Sequence, residues 1–122
     1  MILADTSIWI EHFRSANAEM REHLSRGHIL IHPLIIAELA LGSLKERTRT
    51  LALFDRLPLA RMAQIDEVRN MIEVRGLYNR GIGLVDAHLI ASVFLTPSTL
   101  LWTKDKPLRK LAAALRIHVG VA

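Results

Sequence analysis

The chain opens Met1-Ile2-Leu3-Ala4-Asp5-Thr6-Ser7-Ile8-Trp9-Ile10. An apolar run meets an acid, then two hydroxyl residues, then a second apolar stretch that continues to Phe13. A short apolar run bounded by polar residues predicts a buried strand over residues 2–5. Thr6 or Ser7 can cap a helix that carries Ile8, Trp9, Ile10 and Phe13.

The same alternation continues outward. Residues 16–26 form a polar helical stretch ended by Gly27, and 29–31 a second strand. Pro33 suits a helix start, and the apolar segment 33–41 is ended by Gly42. Helices are expected over 45–54 and 66–78, with a short extended piece at 57–62. The loop Arg80-Gly81-Ile82-Gly83 precedes residues 84–95, which are apolar almost all round and predict a central buried helix. A strand at 100–103, a helix at 107–115 and a last strand at 117–119 complete the chain. Strands alternating with helices predict an α/β fold with a mostly parallel sheet flanked by helices. Such sheets bind ligands at the C-terminal ends of their strands.

Four acids stand in apolar surroundings. Asp5 ends the first run, and Glu38 lies within Leu34-Ile35-Ile36-Ala37-Glu38-Leu39-Ala40-Leu41. Asp86 sits between Leu84-Val85 and Ala87-His88-Leu89-Ile90, and Asp105 follows Leu100-Leu101-Trp102-Thr103-Lys104. A carboxylate on a core-forming segment costs roughly several kcal/mol unless its charge is compensated. The other eight acids have ordinary surface settings, such as Glu46 between Lys45 and Arg47 or Asp55 beside Arg56. Four acids in one small domain point to a shared compensator, and a hard divalent cation takes oxygen ligands.

Each acid also has a plainer reading. Asp5 and Asp105 can serve as helix N-caps, and Asp86 suits a helix dipole. Glu38 has no capping role, and its plain reading is an outward polar stripe. Thr103, Thr6 and Ser7 read as capping or strand hydroxyls, or as groups that orient the acids. Lys104, Lys106, Arg109 and Lys110 form a basic cluster beside Asp105, with Arg80 near Asp86. They read as a solvated helix end or as phosphate contacts. None of the six histidines has a partner at metal-ligand spacing, and all six are taken as non-ligands.

The bulk properties agree with a small core-forming domain. The 122 residues suit one domain spanning 1–122, and 51% are hydrophobic with mean hydropathy +0.25, which argues against disorder. There are no cysteines, so disulfides and thiolate zinc sites are excluded. No apolar stretch approaches the roughly 18 residues of a membrane span, and nothing reads as a signal peptide, so a cytoplasmic location is expected. The net charge of +4 fits a polyanion approaching an acidic metal site, although a slightly basic surface is common.

Asp5-Thr6-Ser7-Ile8-Trp9-Ile10 resembles the opening of PIN-domain ribonucleases. Glu38-Leu39 resembles that family's glutamate, and Gly83-Leu84-Val85-Asp86-Ala87-His88-Leu89-Ile90-Ala91 its third acidic block. Trp102-Thr103-Lys104-Asp105 is similar to its last block, Thr/Ser-x-Asp. Order, spacing and chain length together resemble VapC-type toxins of toxin–antitoxin pairs. The resemblance implies a PIN-like three-layer fold with 4–5 strands and a Mg²⁺- or Mn²⁺-dependent endoribonuclease. It also implies a homodimer and a VapB-type antitoxin whose apolar segment covers a helix pair near Trp9, Phe13, Leu39 and Leu51. Asp5, Asp86 and Asp105 are the expected metal ligands, with Glu38 as the fourth catalytic acid. Lys106-Pro107-Leu108 after Asp105 departs from relatives that carry a further acid there. The alternatives are a PIN nuclease of RNA maturation outside a toxin pair, and a non-cleaving RNA- or protein-binding module. A phospho-receiver domain is disfavoured, because Asp5 is single where that fold needs a pair of acids.

Overall fold

In a computed structural model the fold is described for residues 1–120. Three short parallel strands form the sheet: β1 (Ile2–Ala4), β2 (Ile29–Leu30) and β3 (Leu100–Trp102). Their order is β2-β1-β3, with Ile2 opposite both Ile29 and Leu100, and Leu3 opposite Leu30 and Leu101. Single parallel bridges, Ile31 to Leu59 and Leu101 to His118, extend the two edges. The expected extended piece at 57–62 and strand at 117–119 pair with the sheet edges at these points, with backbone bonds from Ile31 to Pro58 and Ala60 to Ile31, and from Leu101 to Ile117 and Val119 to Leu101. The central strand is fully apolar because helices cover both faces, and Leu3 and Ala4 are completely buried.

Seven helices surround the sheet. They are α1 (Thr6–Ser15), α2 (Ala18–Ser25), α3 (Pro33–Leu41), α4 (Arg47–Phe54), α5 (Ile65–Arg75), α6 (Leu84–Leu95) and α7 (Lys106–Ala114). No helix among the described residues is long and apolar enough to cross a membrane. As expected, α6 is the central helix: residues 87–93 are buried without interruption. The first helix starts one residue earlier than its hydroxyls suggest. Its cap is Asp5, whose Oδ1 accepts from the Ile8 amide at 3.3 Å, and Thr6 is already helical. The 45–54 segment turns helical only at Arg47, because Glu46 takes a left-handed φ of 46°. The Arg47 guanidinium donates back to the carbonyls of Ala40 (2.6 Å) and Gly42 (3.3 Å), which satisfies the orphan end of α3.

The main core joins the strands to α1, α3, α6 and α7. Trp9 belongs to it, packing edge-on against Phe54 with ring centroids 5.1 Å apart. One polar group inside is conspicuous. His32 is fully buried as the cap of α3, its Nδ1 accepting from the Leu34 amide at 3.0 Å, while its Nε2 has no partner. Burial, reinforced by nearby His88, pushes the His32 imidazole down to about 4.

The unfolded chain therefore takes up a proton on His32 near 6.5, while the folded chain resists it down to about 4. The stability contributed by neutral His32 is complete above 6.5 and lost as the pH falls through about 4. The loss is on the order of 3 kcal/mol. Chemical denaturation across this range should show a shallower acid loss in His32→Asn, which keeps a capping acceptor, than in the wild type. Identical slopes would remove His32 from the acid response.

Candidate active site

Chain path places the acids. From the central strand β1 the chain moves to β2 on one side, and later returns to β3 on the other. Connections that leave toward opposite sides open a crevice beyond the strand ends. Asp5 follows β1 directly, and Thr103, Lys104 and Asp105 follow β3, so neighbouring strands deliver both segments to one place.

Two hydroxyls join these segments. Ser7 Oγ donates to Asp5 Oδ1 and accepts from the Lys104 amide at 2.9 Å. Thr103 Oγ1 donates to Asp5 Oδ2 and accepts from the Asp105 amide at 3.0 Å. Each hydroxyl thus links the buried carboxylate to the backbone of the opposite segment or its own. Asp105 in turn caps α7, with Oδ2 accepting from the Leu108 amide at 3.1 Å. Asp5 and Asp105 are both helix caps; Asp105 caps through Oδ2 alone, whereas both oxygens of Asp5 accept from protein donors.

Asp86 lies in the first turn of α6 and accepts from the Gly83 amide at 3.3 Å. Glu38, on α3, accepts from Thr6 Oγ1 at 2.7 Å. Burial pushes the Asp86 carboxyl up, and the negative charges of Asp105, Asp5 and Glu38 push it further. The three other acids thus lie near enough to Asp86 for their charges to be felt there. Burial also raises Asp5, outweighing the hydroxyl and amide donors that favour its charged form. No lysine or arginine forms an ion pair with any of the four among the described residues. Lys104, next in the chain to Asp105, is instead paired with Glu11.

Burial departs from the sequence reading. Only Asp5 is buried; Asp86 is half-buried, and Glu38 and Asp105 are exposed. The apolar neighbours Ile35 and Leu39 face the core, while Glu38 turns to the crevice. An apolar setting in sequence therefore marked residues at the edge of the core, not within it. Thr103 is buried and Thr6 and Ser7 half-buried, all three bonded to the acids.

The basic residues divide. Arg80, Lys106 and Lys110 line one hollow, with Asn79, Pro107 and Leu111. Lys104 and Arg109 border another, with Glu19, His23 and His118. A third hollow, of about 530 Å³, runs from Thr6 and Glu38 past Ile10, Phe13, Leu39 and Leu44 to Lys45 and Glu46. Trp9 and Leu51, expected at such a groove, do not line it: Trp9 is buried and Leu51 packs against the core.

Two supporting residues escaped the sequence reading. Glu11 had seemed a surface acid beside His12 and Arg14, yet it reaches across the fold to hold Lys104. His118 braces the site from below: its Nε2 accepts from the Thr103 amide at 3.2 Å, while its Nδ1 faces the Val119 carbonyl at 2.8 Å. The Nδ1–H tautomer satisfies both contacts. Neither role has a local signal, because each partner is distant in sequence.

With the Asp86 carboxyl raised above its usual 3.8, its ionisation stabilises the folded chain less than the unfolded one. That penalty is absent below 3.8 and grows as the pH rises through the folded value. Without divalent ions, Asp86→Asn should melt no lower than the wild type near neutral pH. The difference should close as the pH approaches the acid limit. A clear destabilisation at neutral pH would mean that the Asp86 charge stabilises the fold.

Residues 2–114 match the PIN domain family. The chain is also 46% identical over 113 residues to a protein named Ribonuclease VapC32, from Mycobacterium tuberculosis strains CDC 1551 / Oshkosh and ATCC 25618 / H37Rv. That alignment covers 93% of this chain and 91% of the relative. These matches, in keeping with the parallel sheet order β2-β1-β3, place the chain in the PIN domain family.

Proposed function

We propose that this chain is a metal-dependent endoribonuclease, the toxin of a VapBC-type pair, acting as a single PIN domain in the cytoplasm. The gathering of four carboxylates without a basic partner is the observation that carries the reading. The relatives named as ribonucleases support the substrate class.

The donor set fits a hard cation, since every candidate ligand is a carboxylate oxygen and the other three acids push the Asp86 carboxyl up. Among the described residues no three acids form a ready-made ion cage, and Mg²⁺ keeps several of its waters when bound. Mn²⁺ takes the same ligands. Asp5, Asp86 and Asp105 are the proposed ligands. A bound ion at such a site lowers the pKa of water and polarises a phosphoryl oxygen.

The chain's own groups do the rest. Asp5 is held by Ser7 and Thr103, so its orientation does not depend on ligand. Glu38 is exposed, oriented by Thr6, and free at its second oxygen to accept a proton or direct water. Arg80, Lys104, Lys106, Arg109 and Lys110 supply the positive surface along which RNA approaches. Lys104 serves least directly, because Glu11 neutralises it.

The apolar hollow beside Glu38 is the proposed seat of a VapB-type antitoxin. Exposed Ile10, Phe13 and Leu41 continue its apolar character, and a homodimer is proposed from the wider exposed apolar surface.

RNA cleavage should require Mg²⁺ or Mn²⁺ and stop with EDTA. Glu38→Gln and Asp105→Asn should each lower the rate by roughly a hundredfold or more while melting like the wild type. Normal cleavage by Glu38→Gln would make that acid structural.

Phe13→Glu should weaken binding of an antitoxin encoded beside the gene, with metal binding unchanged. Light scattering should report a dimer. A strict monomer that binds no such partner would remove the toxin assignment and leave the nuclease.

A further inference from the structure

The hollow of about 430 Å³ at Arg80, Lys106 and Lys110 carries three cations and no acid. None of the three has a carboxylate partner among the described residues, whose ion pairs are Arg26–Glu22, Arg49–Glu46 and Lys104–Glu11. The placement opposes stability. Lys106 is the first residue of α7, where the helix dipole disfavours a cation. Lys110 stands one turn further on the same face, where like charges repel.

The neighbouring loop is shaped to hold Arg80 there. Asn79 has φ 58° and Gly81 φ 75°, both left-handed. A side chain at Gly81 would meet Pro107 Cβ at 3.4 Å, so the loop lies directly on the first turn of α7. The hollow also borders the acidic centre by chain path: Asp105 immediately precedes Lys106, and residues 81–83 lead into the helix of Asp86.

We propose that Arg80, Lys106 and Lys110 form a subsite for a phosphate of the RNA strand beyond the one being cleaved. The proposal rests on the ribonuclease reading above. An RNA strand repeats its charge at every nucleotide, so a strand seated at the carboxylates must place further phosphates nearby. A cationic hollow at the border of the acids meets that need and offsets the repulsion that the strand feels from them. Lys104 and Arg109 belong elsewhere, because Lys104 is paired and both border the hollow of His23 and His118. The five basic residues are thus separated into a gripping set and a peripheral pair.

The test is fluorescence anisotropy of a single-stranded oligouridylate in EDTA, titrated with KCl, using the whole chain. Arg80→Ala/Lys106→Ala/Lys110→Ala should weaken binding at least tenfold. It should also flatten the log–log salt slope by about 0.7, the share of one phosphate contact. Lys104→Ala/Arg109→Ala should change the slope by less than half as much. In cleavage with Mg²⁺, the triple variant should raise KM with kcat largely kept, and Arg80→Lys should retain near wild-type KM. With a dinucleotide substrate, too short to reach the hollow, the triple variant should lose far less than it does with a long strand.

Equal losses from both sets, or an unchanged slope in a triple variant of normal melting temperature, would overturn the subsite alone. A wild type that neither binds nor cleaves RNA would overturn the ribonuclease reading with it. A loss confined to binding of a polyglutamate peptide would assign the hollow to an acidic protein partner and overturn the RNA subsite.

Discussion

The site depends on one buried carboxylate. Asp5 ends the central strand, caps the first helix and accepts from two hydroxyls that reach it from different elements. Because Ser7 and Thr103 also accept from the Lys104 and Asp105 amides, the loop after β3 is tied to the corner after β1. Removing either hydroxyl would leave a buried acceptor short of a donor and would loosen the loop that carries Asp105. His118 adds a brace under Thr103. The geometry of two acids is therefore set by a polar network within the fold, whether or not a cation is bound.

Electrostatics runs the other way. Asp86 is discouraged from ionising by burial and then by Asp105, Asp5 and Glu38. A fold selected for stability alone would place a lysine among them, and one is close in the chain: Lys104. It is drawn aside by Glu11. The acidic centre is kept free of internal cations, while Arg80, Lys106 and Lys110 are kept free of internal acids. Two opposite charges, each left without its protein partner, border one another at the start of α7. A metal ion and a polyanion are the ligands proposed for such a pair.

The apolar hollow reaches the same centre from a third direction. It begins at Thr6 and Glu38 and extends over Ile10, Phe13 and Leu39. A partner seated there would lie against Glu38, the proposed catalytic acid, and partner binding and inhibition would then share a surface. Its shape depends on the 42–46 loop, which Arg47 fixes to the end of α3. That contact could not be read from Lys45-Glu46-Arg47, which looks like ordinary surface charge.

Local sequence determined the elements and singled out the candidate acids. Short apolar runs ended by acids or glycines gave strands and helices within a few residues of their places, because burial and capping are decided over one or two turns. At the two edges, Leu59 and His118 are each joined to the neighbouring strand by a backbone bond on either side. The choice of Asp5, Glu38, Asp86 and Asp105 was legible because an acid among apolar residues needs a reason. Their depth was not: a helix in which almost every residue is apolar still has an outer face, and only packing decided that Glu38 occupies it. Tertiary structure alone decided the pairing of Lys104 with Glu11, the bracing by His118 and the division of the basic residues. These join positions far apart in the chain, and no local spacing encodes a contact that exists only once strands β1 and β3 lie side by side.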